Sequence, residues 1–365
     1  MNFIDLKRQY QEYKTEIDKR IADVIDNTRF IMGKELKDLE AELAAYAGAK
    51  HGIGVASGTD ALLVPLAAYG VGPGDEVITT PFTFIATVEV ISFLGATPVF
   101  VDIDSDDYNI DISKIESKIT KKTKGIIPVS LYGQTPDLDK ISAIGKKHGI
   151  FVLEDGAQSF GAVYKGRKSC GLTDVAGTSF YPSKPLGCYG DGGMIFTSDD
   201  ALAEKMRMIM NHGSSQNYVH KYVGINARMD TLQAAVLLVK FAHFEKECDT
   251  RMRLGSRYTE LLSGGKVITP KVSSTTDRHV YAQYSIRVKN RDALKEALAK
   301  ESIPTAVHYP KPIHLQEAYQ SLGHKTGDFP VSEQVSNEII SLPMHPFLTD
   351  GEQKLVAEKI LGAVS

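Results

Sequence analysis

One lysine stands among hydroxyl and glycine residues in the segment Thr178–Gly187. Lys184 lies 29 residues after Asp155, the second residue of an acidic pair. An aldehyde cofactor such as pyridoxal phosphate needs a lysine for its Schiff base, an acid beside its pyridine nitrogen and neutral donors for its phosphate. Lys184 can supply the amine and Asp155 the acid, while Ser179 and the segment Ser57–Thr59 can supply the donors. A lysine beside a proline is usually a solvated loop residue, but these neighbours favour the chemical interpretation.

Two of these features also have simpler structural interpretations. Gly58 and Thr59 follow Ser57 at what looks like a turn opening a helix, where free N–H groups and the helix dipole favour an anion. A plain N-cap is the alternative there. Asp155 follows a buried strand, and it could be a structural cap or the partner of a protonated pyridine nitrogen. Gln158, three residues on, lies on the same face if a helical turn follows.

Aromatic and glycine residues frame the same region. Phe84 follows a predicted strand, and an aromatic ring stacked on the pyridine ring would hold its plane. Core packing is the commoner fate of phenylalanine, so both interpretations stay open. The glycine-rich run at 190–193 would let the backbone approach a ligand closely, or would form a hairpin turn with no ligand.

Several other motifs fail on their spacing. The stretch Gly70–Gly74 precedes a predicted strand and lacks the third glycine position of a dinucleotide fingerprint. The acidic stretch Asp102–Asp107 resembles a calcium loop until its sixth position, where an aspartate replaces the required glycine. His308 and His314 bracket two prolines, and we expect no metal there.

Short apolar runs alternate with helical segments between residues 50 and 200. Several runs are continuous rather than alternating, which is typical of parallel strands covered on both faces. Functional residues in such sheets gather at the carboxyl ends of the strands, so we expect Asp155 and Lys184 to share one pocket. The predicted strands are Glu76–Thr79, Thr97–Val101, Gly125–Val129, Ile150–Leu153, Val175–Phe180 and Met194–Thr197.

A chain of 365 residues is too long for one small core. We predict an α/β fold, with a large domain over residues 1–240 that contains a mostly parallel sheet and a smaller C-terminal α+β domain over residues 241–365. Residue spacing outside the sheet region predicts helices at 11–28, 33–47, Thr231–Glu247, Arg291–Lys300 and Glu352–Leu361, and a strand at Tyr281–Val288.

Composition limits the class of protein. Hydrophobic residues at 42% and charged residues at 24% fit an ordinary soluble protein, and a net charge of −3 gives no broad basic field for nucleic acid. Three cysteines without metal-ligand spacing indicate a reducing compartment. The amino terminus does not resemble a signal peptide, and no run approaches the roughly 18 apolar residues of a membrane span. We expect a cytoplasmic protein that binds neither nucleic acid nor membrane.

Taken in order, these motifs resemble the DegT/DnrJ/EryC1/StrS family of pyridoxal-phosphate-dependent nucleotide-sugar aminotransferases. The likeness runs from Phe3–Leu6 to Ser341–Pro346, nearly the whole chain. It implies the aspartate-aminotransferase fold, the type I fold of these enzymes, and it implies Lys184 as the residue that binds the cofactor and shuttles the proton. One branch of the family replaces this lysine with histidine and acts as a dehydratase, and Lys184 argues against that branch.

The resemblance also implies further contacts to the cofactor. Asp155 would meet the pyridine nitrogen, and Phe84 would stack on the ring. In this family the neighbouring subunit completes each site with an asparagine, which Asn226 matches here, so a homodimer with shared active sites is implied. The resemblance places Gln158 near the ring hydroxyl of the cofactor. It places Gly58, Thr59 and Ser179 around the phosphate.

The expectation for the substrate is based on three segments of the sequence, Pro128–Gln134, Pro182–Gly193 and Pro304–Pro310. They are similar to the branch that aminates the 3-keto group of UDP-linked 2-acetamido-2-deoxy-3-oxo-glucuronate, with L-glutamate as donor, in the synthesis of bacterial surface polysaccharide such as O-antigen. Another nucleotide-linked 3-keto or 4-keto hexose is the alternative, because a few side chains decide between them. A cofactor-binding sensor without turnover is the alternative from a different class.

Arg228 is the candidate reader of the uronate carboxylate. The planar fork of arginine can pair with a carboxylate through two parallel hydrogen bonds. Because Arg228 lies two residues beyond Asn226, it could follow that residue into the partner's site. A surface or interface ion pair is the alternative. His308 and Tyr309 are the next candidates for binding the sugar.

Overall fold

The computed structural model of the protein describes residues 1–264 and 266–364. Helices and strands alternate along most of this length. The helices are α1 Leu6–Asn27, α2 Lys34–Ala47, α3 Gly58–Ala68, α4 Ala86–Phe93, α5 Leu138–His148, α6 Asp200–Ile209, α7 Thr231–Leu261, α8 Arg291–Lys300, α9 Pro330–Glu338 and α10 Asp350–Val364. The strands are β1 His51–Val55, β2 Glu76–Thr79, β3 Thr97–Phe100, β4 Thr123–Ile126, β5 Phe151–Asp155, β6 Val163–Tyr164, β7 Arg167–Lys168, β8 Val175–Ser179, β9 Gly193–Thr197, β10 Ser214–Gln216, β11 Val219–His220, β12 Thr276–Arg278, β13 Tyr284–Arg287 and β14 Ile339–Leu342.

Seven strands form the central sheet in the order β1-β9-β8-β5-β4-β2-β3. Strand β9 runs antiparallel to both of its neighbours, and the other pairs in the sheet are parallel. The prediction of a mostly parallel sheet is therefore confirmed. Since six strands point the same way, their carboxyl ends meet at one edge.

Both faces of the sheet are covered by hydrophobic clusters. Val175 and Ile195 belong to the cluster that includes α3 and α6, while their chain neighbours Ala176 and Phe196 belong to the cluster that includes α2 and α7. Successive side chains of a strand point to opposite faces, so burial on both sides requires apolar residues without alternation. This packing explains the continuous apolar runs in the sequence.

Several element boundaries differ from the predicted ones, and three of the differences are informative. The strand predicted at Gly125–Val129 is observed at Thr123–Ile126, and Asp155 is the last residue of β5 rather than a residue that follows it. The helix predicted at Thr231–Glu247 continues to Leu261, because its second half carries Leu254 into a separate hydrophobic cluster. Local apolar spacing does not reveal such distant partners.

Strand β1 was not predicted, because its glycines lower the propensity for a strand. Gly52 is required there by packing, since a Cβ atom at this position would lie 2.6 Å from the backbone oxygen of Glu40 in α2. The strand forms through its antiparallel pairing with β9 along all five residues. Tertiary pairing thus overrides a weak local preference.

The C-terminal part of the chain has a core of its own. Tyr258, Ile286, Ile340 and Ile360 lie in one buried cluster with the antiparallel pair β13 and β14. Helix α7 passes without interruption through residue 240, and the division into 1–240 and 241–365 stays a prediction.

Candidate active site

Three loops and the end of one strand bring the candidate residues to the carboxyl edge of the sheet. Ser57 follows β1, Phe84 follows β2, Asp155 ends β5, and Lys184 lies in the loop after β8. The antiparallel strand β9 begins at the same edge, where Gly193 pairs with both Val55 and Ser179. The topology therefore explains how residues far apart in the sequence reach one place.

Two hydrogen bonds stabilise the loop that carries Lys184, one within the loop and one from helix α7. The backbone N–H of Cys188 donates to the oxygen of Phe180 over 2.8 Å. From α7, the buried Lys240 donates its Nζ to the oxygen of Gly187 over 2.7 Å. Burial lowers the pKa of Lys240 to about 8. No motif in the sequence links Lys240 to a loop 53 residues earlier, so this contact could not be predicted.

Lys184 and Asp155 influence each other's ionisation. Burial lowers the pKa of Lys184, and the charge of Asp155 opposes that change. Burial likewise raises the pKa of Asp155, and the charge of Lys184 is among the groups that oppose it. A lysine with a lowered pKa has a larger neutral fraction, which is the nucleophilic form that binds an aldehyde.

The carboxylate of Asp155 is held at both oxygens. Its Oδ1 accepts the backbone N–H of Ala157 over 3.1 Å, and its Oδ2 accepts the hydroxyl of Thr87 over 2.7 Å. One oxygen therefore does cap the following turn, as the simpler interpretation proposed. The role of Thr87 was not predicted from the sequence. The available signal was its spacing of four residues from Thr83, which places the two side chains on one face of a helical turn.

The side-chain amide of Gln158 has a defined orientation. Its Oε1 accepts the backbone N–H of Tyr132 over 2.8 Å, and its Nε2 donates to the hydroxyl of Tyr309 over 3.1 Å. Burial raises the pKa of Tyr309, so that hydroxyl keeps its proton at neutral pH. Gln158 and Tyr309, predicted separately, are thus direct neighbours, and Tyr132 is a further residue that the sequence did not indicate.

His308 lies next to the same group. Its Nδ1 is 2.9 Å from the hydroxyl of Ser341, and its backbone oxygen accepts the hydroxyl of Tyr132. Burial, together with the nearby charge of Lys184, lowers the pKa of His308 to about 4. The imidazole is therefore neutral at pH 7.

The loop after β1 forms a cradle of hydrogen-bond donors at the start of α3. Ser57 is the N-cap, and its hydroxyl accepts the N–H of Asp60 over 3.0 Å. The first N–H groups of a helix have no partners within the helix, and they favour an anion. A Cβ atom at Gly58 would lie 2.6 Å from the Cβ of Ser179, and one at Gly193 would lie 2.3 Å from the oxygen of Ser57. Gly58 and Ser179 thus lie side by side at the start of α3, and these neutral donors fit a phosphate group.

Phe84 is not a core residue. Its side chain is 54% exposed, whereas that of Phe82 is fully buried. The ring of Phe84 lies 6.2 Å from that of Tyr309, between centroids. An exposed aromatic ring beside the Asp155 and Gln158 group is free to cover a planar ligand.

Asn226 and Arg228 lie in the segment that runs beside the end of β1, where Arg228 forms a β-bridge with Val55. Asn226 is exposed and forms a β-bridge with Asn211, whose side-chain oxygen accepts a hydrogen bond from Arg228 over 2.9 Å. The Nε of Arg228 is buried and has no partner among the residues that the structure describes. Among the residues that the structure describes, neither side chain forms a hydrogen bond or an ion pair with Lys184 or Asp155.

Two kinds of site were also sought over residues 1–264 and 266–364. No cluster of three or more histidine, cysteine, aspartate or glutamate side chains there could hold a metal ion. None of the helices in these ranges combines the length and the apolar character needed to cross a bilayer.

Comparison with known proteins identifies the family. The sequence pattern of the DegT/DnrJ/EryC1/StrS aminotransferase family matches residues 11–361. The chain is 49% identical over 356 residues to the UDP-2-acetamido-2-deoxy-3-oxo-D-glucuronate aminotransferase of Pseudomonas aeruginosa, with 98% of each chain covered. It belongs to the DegT/DnrJ/EryC1/StrS family. A second relative of this DegT-family chain, the pleiotropic regulatory protein of Geobacillus stearothermophilus, is 49% identical over 360 residues, which cover 98% of this chain and 96% of the relative.

Solved structures support the same assignment. A DegT/DnrJ/EryC1/StrS aminotransferase from Brucella abortus superposes with a TM-score of 0.96 at 41% identity, and all of both chains is covered. Structures of related aminotransferases contain the cofactor in its pyridoxal and pyridoxamine forms. The predicted aspartate-aminotransferase fold and the predicted cofactor, pyridoxal 5′-phosphate, are confirmed. This DegT-family chain is a pyridoxal-phosphate-dependent sugar aminotransferase.

Proposed function

We propose that this enzyme transfers the amino group of L-glutamate to the 3-keto group of a UDP-linked 2-acetamido-2-deoxy-3-oxo-glucuronic acid. The product would serve the synthesis of bacterial surface polysaccharide. The observation that carries this substrate is the 49% identity to the Pseudomonas enzyme over 98% of this chain.

When bound, pyridoxal phosphate supplies an aldehyde that binds amines and a ring that draws electrons from the bond to be broken. Lys184 binds the aldehyde, and its lowered pKa favours the neutral amine that this bond requires. The freed amine of Lys184 would move the proton of the α-carbon of glutamate to the cofactor carbon that receives the amino group in the first half of the reaction. In the second half it would take a proton back from that carbon and deliver it to C3 of the sugar.

Other residues hold the cofactor in this proposal. Asp155 pairs with the pyridine nitrogen, and the lowered polarity of its buried position strengthens that interaction. Phe84 covers the ring, and the Nε2 of Gln158 faces the ring hydroxyl together with Tyr309. The phosphate is bound by the donors at the start of α3 and the end of β8, which are Gly58, Thr59 and Ser179.

Arg228 binds the uronate carboxylate in this proposal. Its one recorded side-chain partner among the described residues is the neutral amide of Asn211, and its buried Nε has none there. A half-buried arginine without a carboxylate partner among the described residues is suited to pair with a carboxylate from a ligand. His308 and Tyr309 lie on the Lys184 side of the site and contact the sugar ring.

We propose further that two copies of the chain form a cytoplasmic homodimer in which each site is completed by Asn226 and Arg228 of the partner. Two observations support this arrangement. Asn226 is exposed in the single chain. In the hairpin of β10 and β11 and the residues that follow it, close to Asn226 in sequence, Tyr218 and Val223 are almost fully exposed, at 96% and 98%. Large apolar side chains exposed together are typical of an interface.

A panel of nucleotide keto-sugars tests the substrate. We expect the UDP-linked 3-oxo-uronate to react with glutamate at a kcat/KM at least about tenfold above that of its neutral 3-oxo-hexose counterpart, the value of one charge-assisted contact. Formation of 2-oxoglutarate and the mass of the amino sugar measure the reaction. Preference for the neutral sugar or for a 4-keto sugar would replace the proposed substrate. Cofactor binding without 2-oxoglutarate from any sugar would favour a regulatory role, in line with the name of the Geobacillus relative.

A further inference from the structure

Two buried threonines stand behind the carboxylate of Asp155. The Oγ1 of Thr87 is 2.7 Å from the Oδ2 of Asp155, and the Oγ1 of Thr83 is 2.9 Å from that of Thr87. Thr83 is 2% exposed and Thr87 is fully buried. The three side chains form a row that ends on one carboxylate oxygen.

The number of protons gives this row a direction. A hydroxyl group has one hydrogen to donate, and an ionised carboxylate can only accept. The hydroxyl of Thr87 therefore donates its one hydrogen to Asp155. In the hydrogen bond between the two threonines, Thr83 must be the donor. The opposite direction requires that the Oδ2 of Asp155 carry a proton. The row is thus complementary to the ionised form of Asp155.

We propose that Thr83 and Thr87 are positioning residues that orient the Asp155 carboxylate and keep it ionised opposite the pyridine nitrogen of the cofactor. This inference rests on the role proposed above for Asp155. The two threonines touch neither the cofactor nor the substrate in this arrangement. They act through the carboxylate alone.

The electrostatics of the site show why such donors matter. Burial raises the pKa of Asp155, and the hydrogen bond from Thr87, the N–H of Ala157 and the charge of Lys184 oppose that rise. Without the Thr87 donor the carboxylate would be a stronger base. A proton between Asp155 and the pyridine nitrogen would then move toward Asp155, and the ring would lose the positive charge that makes it an electron sink.

The location of the threonines links two functions in one segment. Thr83 directly precedes Phe84, and Thr87 lies in the first turn of α4. The residue proposed to cover the ring and the residues proposed to hold its acidic partner therefore lie in one short segment. A shift of this segment would change both contacts at once.

Two substitutions at one position separate hydrogen bonding from packing. Thr87→Val keeps the branched shape and removes the donor, while Thr87→Ser keeps the donor and removes a methyl group. Thr197→Val is the matched control, because Thr197 is 2% exposed and donates to the oxygen of Asp174 over 2.8 Å. Thr197 ends β9 at the edge of the sheet away from the site, since the other end of β9 pairs with Ser179.

We expect Thr87→Val to weaken the binding of pyridoxal phosphate to the apoprotein about tenfold, the size of one hydrogen bond to a charged group. The nitrogen-15 resonance of a labelled pyridine ring should move toward the neutral form. The kcat should fall by about 100-fold with little change in KM, as for other electrostatic contacts in active sites. Thr87→Ser should restore most of each value, and Thr197→Val should leave binding and resonance unchanged.

Wild-type affinity and nitrogen resonance in Thr87→Val would overturn the proposal, whatever happens to thermal stability. Wild-type values in Thr87→Val combined with losses in Thr87→Ser would also overturn it. The effect of the substitutions would then come from packing and not from the hydrogen bond. Asp155→Asn distinguishes this failure from that of the proposed function. If Asp155→Asn also leaves both readouts unchanged, the role of Asp155 is wrong; if it changes both while Thr87→Val changes neither, only the threonine inference is wrong.

Discussion

At the scale of single residues, Lys184 combines two tasks in one amine. Lys184→Ala removes the cofactor bond and the proton shuttle together, so transamination should be lost while the fold stays intact. Single-turnover measurement of amine transfer from glutamate, with a thermal melt of the same sample, checks both parts. Lys121→Ala, at an exposed loop lysine, should leave both unchanged. Transfer near the wild-type rate in Lys184→Ala would remove Lys184 from the catalytic role.

Arg228 is the residue on which the choice of sugar depends. Arg228→Ala should weaken binding of the 3-oxo-uronate by about 2 kcal/mol, or roughly 30-fold, because a desolvated charge-assisted contact is lost. The half-reaction with glutamate should be nearly unaffected. Arg228→Lys keeps the charge but not the planar fork, so an intermediate affinity is expected.

Equilibrium binding of the uronate sugar and of its neutral counterpart provides the comparison for Arg228. Loss confined to the uronate supports recognition of the carboxylate. If Arg228→Ala binds the two sugars in the wild-type proportion, Arg228 is an interface or surface residue. His308 and Tyr309 would then be the next positions to replace.

At the scale of elements, the phosphate cradle depends on the close approach of β9 to the start of α3. A Cβ atom at Gly193 would lie 2.3 Å from the oxygen of Ser57 and 2.9 Å from the nitrogen of Gly58. These are backbone atoms, so Gly193→Ala must displace the helix start. We expect about tenfold weaker binding of pyridoxal phosphate and a stability loss of about 1–3 kcal/mol.

Titration of the apoprotein with pyridoxal phosphate and a denaturant melt measure the two effects of Gly193→Ala. Gly362→Ala in α10 is the control, because a Cβ atom there would meet nothing within 4 Å. That substitution should leave the affinity unchanged and stabilise the helix by up to about 1 kcal/mol. Normal cofactor affinity in Gly193→Ala would show that the phosphate lies elsewhere.

At the scale of the whole molecule, the proposed homodimer makes a prediction that a monomer cannot satisfy. In a mixture of the Lys184→Ala and Asn226→Ala variants, refolded together, each mixed dimer should contain one site with both residues intact. The other site lacks both. Activity should therefore recover toward one quarter of the wild-type value, since random pairing makes half of the dimers mixed and each of these has one working site.

Each variant alone serves as the control for this mixture. The recovery should depend on exchange of subunits, which sedimentation of differently tagged chains can follow. If the mixture is no more active than the sum of its parts although mixed dimers form, Asn226 acts within its own subunit. The exposed side chains Tyr218 and Val223 would then need a different explanation.

Much of the fold could be predicted from local patterns. Continuous apolar runs required a sheet covered on both faces, and the strand Glu76–Thr79 and helix Arg291–Lys300 are found at the predicted bounds. The segment around Lys184 and the carboxylate of Asp155 indicated the cofactor, because few chemistries need a lysine, an acid and neutral donors in this combination. The family confirms the cofactor, while the roles of the individual residues stay predictions.

The tertiary structure decided the features that depend on distant partners. Strand β1 forms through its pairing with β9, and α7 continues because its second half enters another core. Three contacts of the site join segments that are distant in the sequence, so they are seen only in the folded chain. They are the hydrogen bonds of Thr87 to Asp155, of Tyr132 to Gln158 and of Lys240 to Gly187. Residue types and spacing determine which chemistry a segment can perform, because both are properties of the local sequence. Which side chains orient and ionise the reacting groups depends on contacts between segments, and those contacts exist only in the folded chain.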